Sequence, residues 1–109
     1  MKIVLLLVVA ACSSEVARAP AGVWSCNSVK AGNCREWRGA SLAAGIDSLR
    51  TQCGTTASAV FANTACPTAH VTGRCTSAGH TDVFYESYPI RAAELPGACT
   101  PAGGVFSAP

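Results

Sequence analysis

The sequence predicts a small α+β domain in which two short helices pack against a small antiparallel sheet, stapled by three disulfides. Three observations favour this fold class. The 109-residue chain has seven cysteines, and the six that follow the first form an even set. One segment carries apolar residues at helical spacing, and another is rich in strand formers. Few large apolar residues remain for a core, a deficit that disulfides commonly offset in small domains.

The first twelve residues have the features of an export signal. Lys2 precedes an apolar run over residues 3–11, much shorter than the roughly 20 residues of a membrane-spanning helix. The run ends in Val-Ala-Ala before Cys12, which resembles the lipobox of bacterial lipoproteins, where the cysteine is lipidated and becomes the mature N-terminus. An Ala-x-Ala site at residues 17–19 is the alternative, but it would leave Pro20 first. We therefore expect a signal peptide over residues 1–11 and lipid on Cys12.

The lipobox resemblance also implies a location. Ser13 after the lipidated cysteine implies sorting to the outer membrane, and lipoproteins of this kind carry more than one acyl chain, which anchors them stably. Residues 12–23 are small and polar and are expected to form a flexible tether to a domain over residues 24–109. The net charge of +2 includes Lys2, so the mature chain is nearly neutral and nucleic acid is not expected as a partner.

The cysteine spacing indicates an internal duplication with repeats at residues 24–61 and 65–106. Each repeat holds three cysteines, and each ends in a Val-Phe pair, at residues 60–61 and 105–106. The cysteines expected to form disulfides are Cys26, Cys34, Cys53, Cys66, Cys75 and Cys99. Because three cysteines cannot all pair within one repeat, at least one bridge must join the repeats. The sequence leaves the connectivity open.

The first predicted helix follows Ser41, which is placed to cap it, and ends at Gly54. Its apolar stripe, at helical spacing, is Leu42, Ile46, Leu49 and Cys53. The second predicted helix spans residues 90–99 with Pro89 at its start. Pro96 cannot lie deep inside a helix, so this helix is expected to be short, kinked or restarted.

The predicted sheet contains three recognisable strands. Residues 83–88 are rich in strand formers, and residues 77–81 supply turn residues that connect them to a strand around residues 74–76. Residues 33–37 are the third candidate. Strand alternation should send Phe84 and Tyr88 to one side and Tyr85 to the other, so that an aromatic side chain could face a partner if the strand is not buried on both sides.

Residues that could carry chemistry are few. His70 and His80 near Cys66 and Cys75 could suggest zinc, but the ligand spacing is absent and exported cysteines favour disulfides. A serine with His80 and Asp82 could suggest hydrolysis, yet no Gly-x-Ser-x-Gly motif is present. The acidic residues, Glu15 among them, are too scattered to predict glycoside cleavage. We expect no catalytic residue, no metal and no cofactor.

Two basic residues near two tryptophans could form a sugar- or peptide-binding patch. They are Arg35, Arg38, Trp24 and Trp37. The alternative is that the tryptophans cover the disulfides.

Several short motifs resemble those of the short cysteine-rich lipoproteins of myxobacteria and their relatives. They are Val9 to Cys12, Cys53 followed by Val60 and Phe61, Ala65 to Pro67, Gly73 to Cys75, and Gly103 to Phe106. The resemblance implies no particular activity.

We therefore expect a lipid-anchored protein of the bacterial cell envelope with a non-enzymatic binding or structural role and an envelope protein as partner. The alternative is a small inhibitor or accessory subunit of a secreted or envelope enzyme. In that case the tip at residues 78–81 is the candidate inhibitory loop.

Overall fold

A computed structural model of the protein describes residues 22–109. The expected signal peptide, Cys12 and nearly all of the expected tether lie outside this range. The strands are β1 (Val23–Ser28), β2 (Asn33–Arg38), β3 (Ala59–Ala62), β4 (Val71–Thr76), β5 (Thr81–Tyr85) and β6 (Val105–Ser107). The α-helices are α1 (Ile46–Gly54) and α2 (Leu95–Cys99). Short 3-10 helices cover Val29–Ala31, Gly39–Ala44, Ala92–Glu94 and Thr100–Ala102.

The six strands form one antiparallel sheet in the order β3-β1-β2-β5-β4-β6. The domain is therefore richer in sheet than the sequence predicted, with a few short helices. The three predicted strands correspond to β2, β4 and β5, and the β4–β5 turn is closed by a hydrogen bond from the Ser77 N–H to the His80 carbonyl at 2.8 Å. The strand predicted over residues 83–88 begins earlier and ends at Tyr85.

The first helix begins later in the chain than its apolar stripe predicted. Residues 39–44 form a 3-10 helix, and Gly45 follows with φ of 97°. Because this backbone geometry interrupts the helical hydrogen bonds, α1 begins at Ile46 with Gly45 as its N-cap, and the prediction of Ser41 as the cap was wrong. Leu49 and Cys53 are buried, so the stripe does face the core.

The second helix is interrupted and restarted, as Pro96 predicted. A 3-10 helix over Ala92–Glu94 runs directly into α2, and Pro96 occupies the first turn of α2. A proline there loses no helical hydrogen bond, because the first N–H groups of a helix have no partner within it.

The core is divided between the two faces of the sheet. One face, which we call the helix face, carries α1 and α2 together with a cluster of buried side chains. That cluster consists of Cys26, Trp37, Leu42, Leu49 and Cys53. The opposite face carries a second buried cluster of Cys34, Cys66 and Val83, with Val71 and Tyr85 packed against it.

Three disulfides staple these layers. Cys26–Cys53 joins β1 to the last turn of α1, and Cys75–Cys99 joins β4 to the end of α2. Cys34–Cys66 joins β2 to the connection between β3 and β4. This third bridge is the link between residues 24–61 and residues 65–106 that the cysteine count required.

Two glycines allow close packing on the helix face. A Cβ at position 104 would overlap the Cys75 sulfur and lie 2.8 Å from the Cys99 sulfur. A Cβ at position 73 would lie 2.6 Å from the ring of Phe106. These contacts explain physically why glycines stand in the Gly73 to Cys75 and Gly103 to Phe106 motifs.

The chain passes twice through the same order of elements. The order β1-β2-α1-β3 is followed by β4-β5-α2-β6, and the first strand of each set lies between the other two. Cys26 stands opposite Phe61 in the first set, and Cys75 stands opposite Phe106 in the second. The two sets meet where β2 pairs with β5 in the centre of the sheet.

Candidate binding groove

A cavity of about 440 Å³ lies on the helix face, and we call it the helix-face groove. Arg35 of β2, Asp82 and Phe84 of β5 and several residues of the second half of the chain line it. The remaining lining residues are Cys75, Ser77, His80, Tyr88, Ile90, Leu95, Ala98, Cys99 and Ala102. Its volume lies within the range of typical small-molecule sites.

One wall of the groove is polar. The Arg35 guanidinium donates from Nε to Asp82 Oδ1 at 2.8 Å and from Nη2 to Oδ2 at 3.2 Å. The pairing of β2 with β5 places these two residues directly opposite each other. His80 Nε2 lies 3.4 Å from Asp82 Oδ2. The side chains of Asp82 and His80 are 18% and 26% exposed, so this wall is only partly hydrated.

The other wall is apolar. Phe84 and Tyr88 contact each other with ring centroids 4.7 Å apart and planes tilted by 57°. Leu95 is buried at the start of α2, and Ile90 lies half-buried before it. The groove therefore presents aromatic and aliphatic surface facing a row of charged hydrogen-bonding groups.

A second cavity of about 220 Å³ lies beside α1 and shares Arg35 with the helix-face groove. It is lined by Trp37 and Gln52 among others. Because Trp37 is buried, this cavity offers little aromatic surface to a ligand.

The residues considered for zinc do not come together. Cys66 and Cys75 are in different disulfides and supply no thiolate. His70 Nδ1 lies 3.3 Å from Glu86, while His80 contacts Asp82. Within residues 22–109, no three His, Cys, Asp or Glu side chains form a group that could hold a metal ion.

His80 and Asp82 do lie side by side, as a hydrolytic dyad would require. Asp82, however, is engaged by Arg35, and among the hydrogen bonds of residues 22–109 none joins a serine hydroxyl to the imidazole. The carboxylates of the described region are each paired with a basic side chain. The pairs are Glu36 with Arg38, Asp47 with Arg50, Asp82 with Arg35, Glu86 with His70, and Glu94 with Arg91.

The expected alternation is confirmed for Phe84 and Tyr85, whereas Tyr88 lies beyond the end of β5 and reaches the side of Phe84 through the turn that follows the strand. Phe84 and Tyr88 lie in the helix-face groove, while Tyr85 packs against the cluster on the opposite face. The Tyr85 hydroxyl donates to the Pro67 carbonyl at 2.7 Å. Burial, and to a smaller extent the charge of Glu36, raises the pKa of Tyr85 above its usual value, an effect that Arg74 partly opposes.

The structure brings together three of the four residues of the expected patch, because Trp24 stands opposite Trp37 and both lie on the same face as Arg35, but burial of Trp37 leaves little aromatic surface there. Trp37 is buried against the disulfide cluster, as the alternative interpretation expected, and Trp24 stacks on Phe61 at 5.0 Å between ring centroids. Arg38 is an odd number of residues from Arg35 on the same strand, so it points to the opposite face and pairs with Glu36 there.

The groove brings together residues that the sequence placed in separate candidate sites. Arg35 was considered with the tryptophans and Asp82 with His80, and only the β2–β5 pairing brings the two together. Ile90 and Leu95 were placed in the second helix without a role in a site. The sequence signal for that wall was the segment over residues 83–88, which was expected to send Phe84 and Tyr88 to one side.

Comparison of the chain with protein-family models, with curated proteins and with solved structures returns no match. In the described range of the chain, no helix combines the length and the apolar character needed to cross a bilayer.

Proposed function

We propose that this protein is a lipid-anchored component of the bacterial cell envelope, held at the outer membrane through Cys12, and that its disulfide-stapled domain has a non-enzymatic binding role. The lipobox-like sequence that ends at Cys12 supports the anchor. The three disulfides indicate folding in an oxidising, extracytoplasmic environment, because such bonds rarely persist in the cytosol.

The observation that carries the binding role is the helix-face groove. It combines convergent polar groups with aromatic and aliphatic surface, which is the usual composition of a ligand site. One disulfide, Cys75–Cys99, joins β4 to α2, and both of its cysteines line the groove. Because the bridge restrains both elements, the protein loses little conformational entropy when a ligand binds in the groove.

The anchor is tested by intact-mass analysis of the protein from the membrane fraction. The expected result is a chain that begins at Cys12 and carries acyl chains, and a Cys12→Ser variant that leaves the membrane. A mature chain that begins at Pro20 would contradict the anchor.

The binding role is tested by capture from envelope extract with the wild-type protein and with Arg35→Ala. Arg38→Ala is the matched control, because it removes the same charge from an ion pair on the opposite face of the same strand. Loss of a captured component with Arg35→Ala alone is expected. Equal capture by all three proteins would contradict a role for the groove.

An inhibitor or accessory subunit of a secreted enzyme is the alternative. Its candidate loop, residues 78–81, forms a tight turn in which Ala78 and Gly79 are the exposed residues. Such a short turn projects little surface into a protease cleft. The groove therefore supports a binding role better than this turn supports an inhibitory one.

We also propose that the domain arose by duplication of one β-β-helix-β unit. Support comes from the repeated element order and from the bridge that joins the first strand to the helix in each unit. Ser58 and Gly103, both three residues before the final phenylalanine of their unit, have positive φ angles of 60° and 81°. This correspondence matches Cys26 with Cys75, whereas the cysteine spacing alone had matched Cys26 with Cys66.

A further inference from the structure

The ligand chemistry of the helix-face groove follows from its charge balance. Arg35 and Asp82 are the oppositely charged groups on its polar wall, and they bind each other through two hydrogen bonds. The charges of this ion pair cancel each other. A strongly charged ligand would have to compete with the internal ion pair for its partner, so the groove does not select for net charge.

The polar wall nevertheless offers hydrogen bonds of both kinds. A guanidinium has five N–H donors and a carboxylate has about four acceptor positions, and the Arg35–Asp82 contact uses two of each. His80 Nε2 lies 3.4 Å from Asp82 Oδ2, beyond ordinary hydrogen-bond distance, so acceptor positions remain on the carboxylate. The free donors and acceptors therefore lie next to each other. Two neighbouring hydroxyl groups of one ligand can bind them together, one accepting from Arg35 and the other donating to Asp82.

The facing wall selects a ligand with an apolar side. Phe84 and Tyr88 supply aromatic surface, and the half-buried Ile90 supplies aliphatic surface above the buried Leu95. A purely apolar ligand would cover this wall but would remove water from the polar groups opposite without replacing their hydrogen bonds, which costs free energy. The C–H face of a pyranose ring covers the aromatic surface while its hydroxyl edge meets the polar wall.

We propose that the helix-face groove binds a neutral saccharide, with Arg35 and Asp82 engaging neighbouring hydroxyls and Phe84 and Tyr88 packing against the ring face. The inference rests on the proposed binding role and names its ligand class. It does not depend on the lipid anchor, and the ligand class and the anchor are tested by separate experiments.

The test is a nuclear magnetic resonance titration of the full chain in micelles of a detergent that carries no sugar. The probes are cellobiose and N,N′-diacetylchitobiose as neutral saccharides, glucuronate and glucosamine as charged ones, and p-cresol as an apolar aromatic. We expect at least one neutral disaccharide to shift the amide signals of Asp82, Phe84 and Leu95 saturably at millimolar concentration. The charged sugars should bind more weakly.

Two variants locate the contact. Arg35→Ala and Tyr88→Leu should each weaken disaccharide binding by about tenfold or more, whereas Arg38→Ala should leave it unchanged. Tyr88→Leu keeps apolar bulk and removes the flat ring, so it remains informative if Arg35→Ala unfolds the domain. Preserved amide dispersion in the spectra confirms that each variant is folded.

The proposal is overturned if neither disaccharide shifts the groove signals, or if the binding survives both Arg35→Ala and Tyr88→Leu. Saturable binding of p-cresol without the disaccharides would also overturn it, and would leave the general binding role standing. A failure of the Cys12 mass analysis would remove the anchor and would not affect the groove.

Discussion

The Cys34–Cys66 disulfide makes the sharpest test of the fold, because it is the covalent link between the two halves of the chain. The bridge closes a loop with a sequence separation of 32 residues. In the chain-entropy model, closing a loop of this length lowers the entropy of the unfolded chain and so stabilises the folded state by about 3.7 kcal/mol. The double variant Cys34→Ala, Cys66→Ala should therefore lose about this much free energy of unfolding in a denaturant titration.

The matched control is the double variant Cys75→Ala, Cys99→Ala. Its loop has a sequence separation of 24, for which the same model gives about 3.5 kcal/mol. The two variants should thus be destabilised almost equally in the intact chain. Stability alone does not separate them, and the distinction comes from cutting the chain.

A protease recognition sequence inserted after Asn63, in an exposed part of the connection between β3 and β4, allows the chain to be cut once. After cutting, the wild type and the Cys75, Cys99 variant should each remain one covalent species under denaturing, non-reducing conditions. The Cys34, Cys66 variant should separate into two fragments. Separation of the cut wild type without reductant, or a Cys34, Cys66 variant that stays linked, would refute the disulfide assignment.

Three further predictions concern side-chain packing. Leu49→Ala should lower the free energy of unfolding by about 2–5 kcal/mol, because Leu49 is buried on the core side of α1; a loss well under 1 kcal/mol in a urea titration would contradict this packing. Gly104→Ala should destabilise by about 1–3 kcal/mol through overlap with the disulfide sulfurs, whereas Gly97→Ala, which meets open space inside α2, should stabilise by up to about 1 kcal/mol. Equal melting temperatures for these two variants would refute the contact. In an alkaline absorbance titration, the component removed by Tyr85→Phe should ionise above pH 10, since burial raises this pKa, and the stability of the wild type should fall as pH rises from about 10 through that raised pKa.

Local sequence patterns predicted that two helices exist, but they did not predict the residues at which the helices begin. The stripe that includes Leu49 and Cys53 is a property of neighbouring residues, so it was visible in the sequence and is confirmed by their burial. The break at Gly45 depends on a positive φ angle, which a glycine permits but does not require. Pro96 was informative because proline has no backbone N–H and its ring clashes with the carbonyl four residues earlier, which disfavours the interior of any helix.

The sheet was under-predicted because three of its strands have weak local signals. In β1, Ser25 and Ser28 are buried, so the usual alternation of apolar and polar residues is lost. β3 and β6 are edge strands of four and three residues, too short for a pattern. The groove could not be predicted either, since Arg35 and Asp82 lie 47 residues apart and meet only through the β2–β5 register.

The interlaced disulfides have a consequence for oxidative folding. In chain order, the first four cysteines of the domain are Cys26, Cys34, Cys53 and Cys66, and the native bridges join the first to the third and the second to the fourth. An oxidant that joins each cysteine to the next one along the chain would make Cys26–Cys34 instead. Once that non-native bridge has formed, native pairing requires thiol–disulfide exchange, through an isomerase or a glutathione redox buffer.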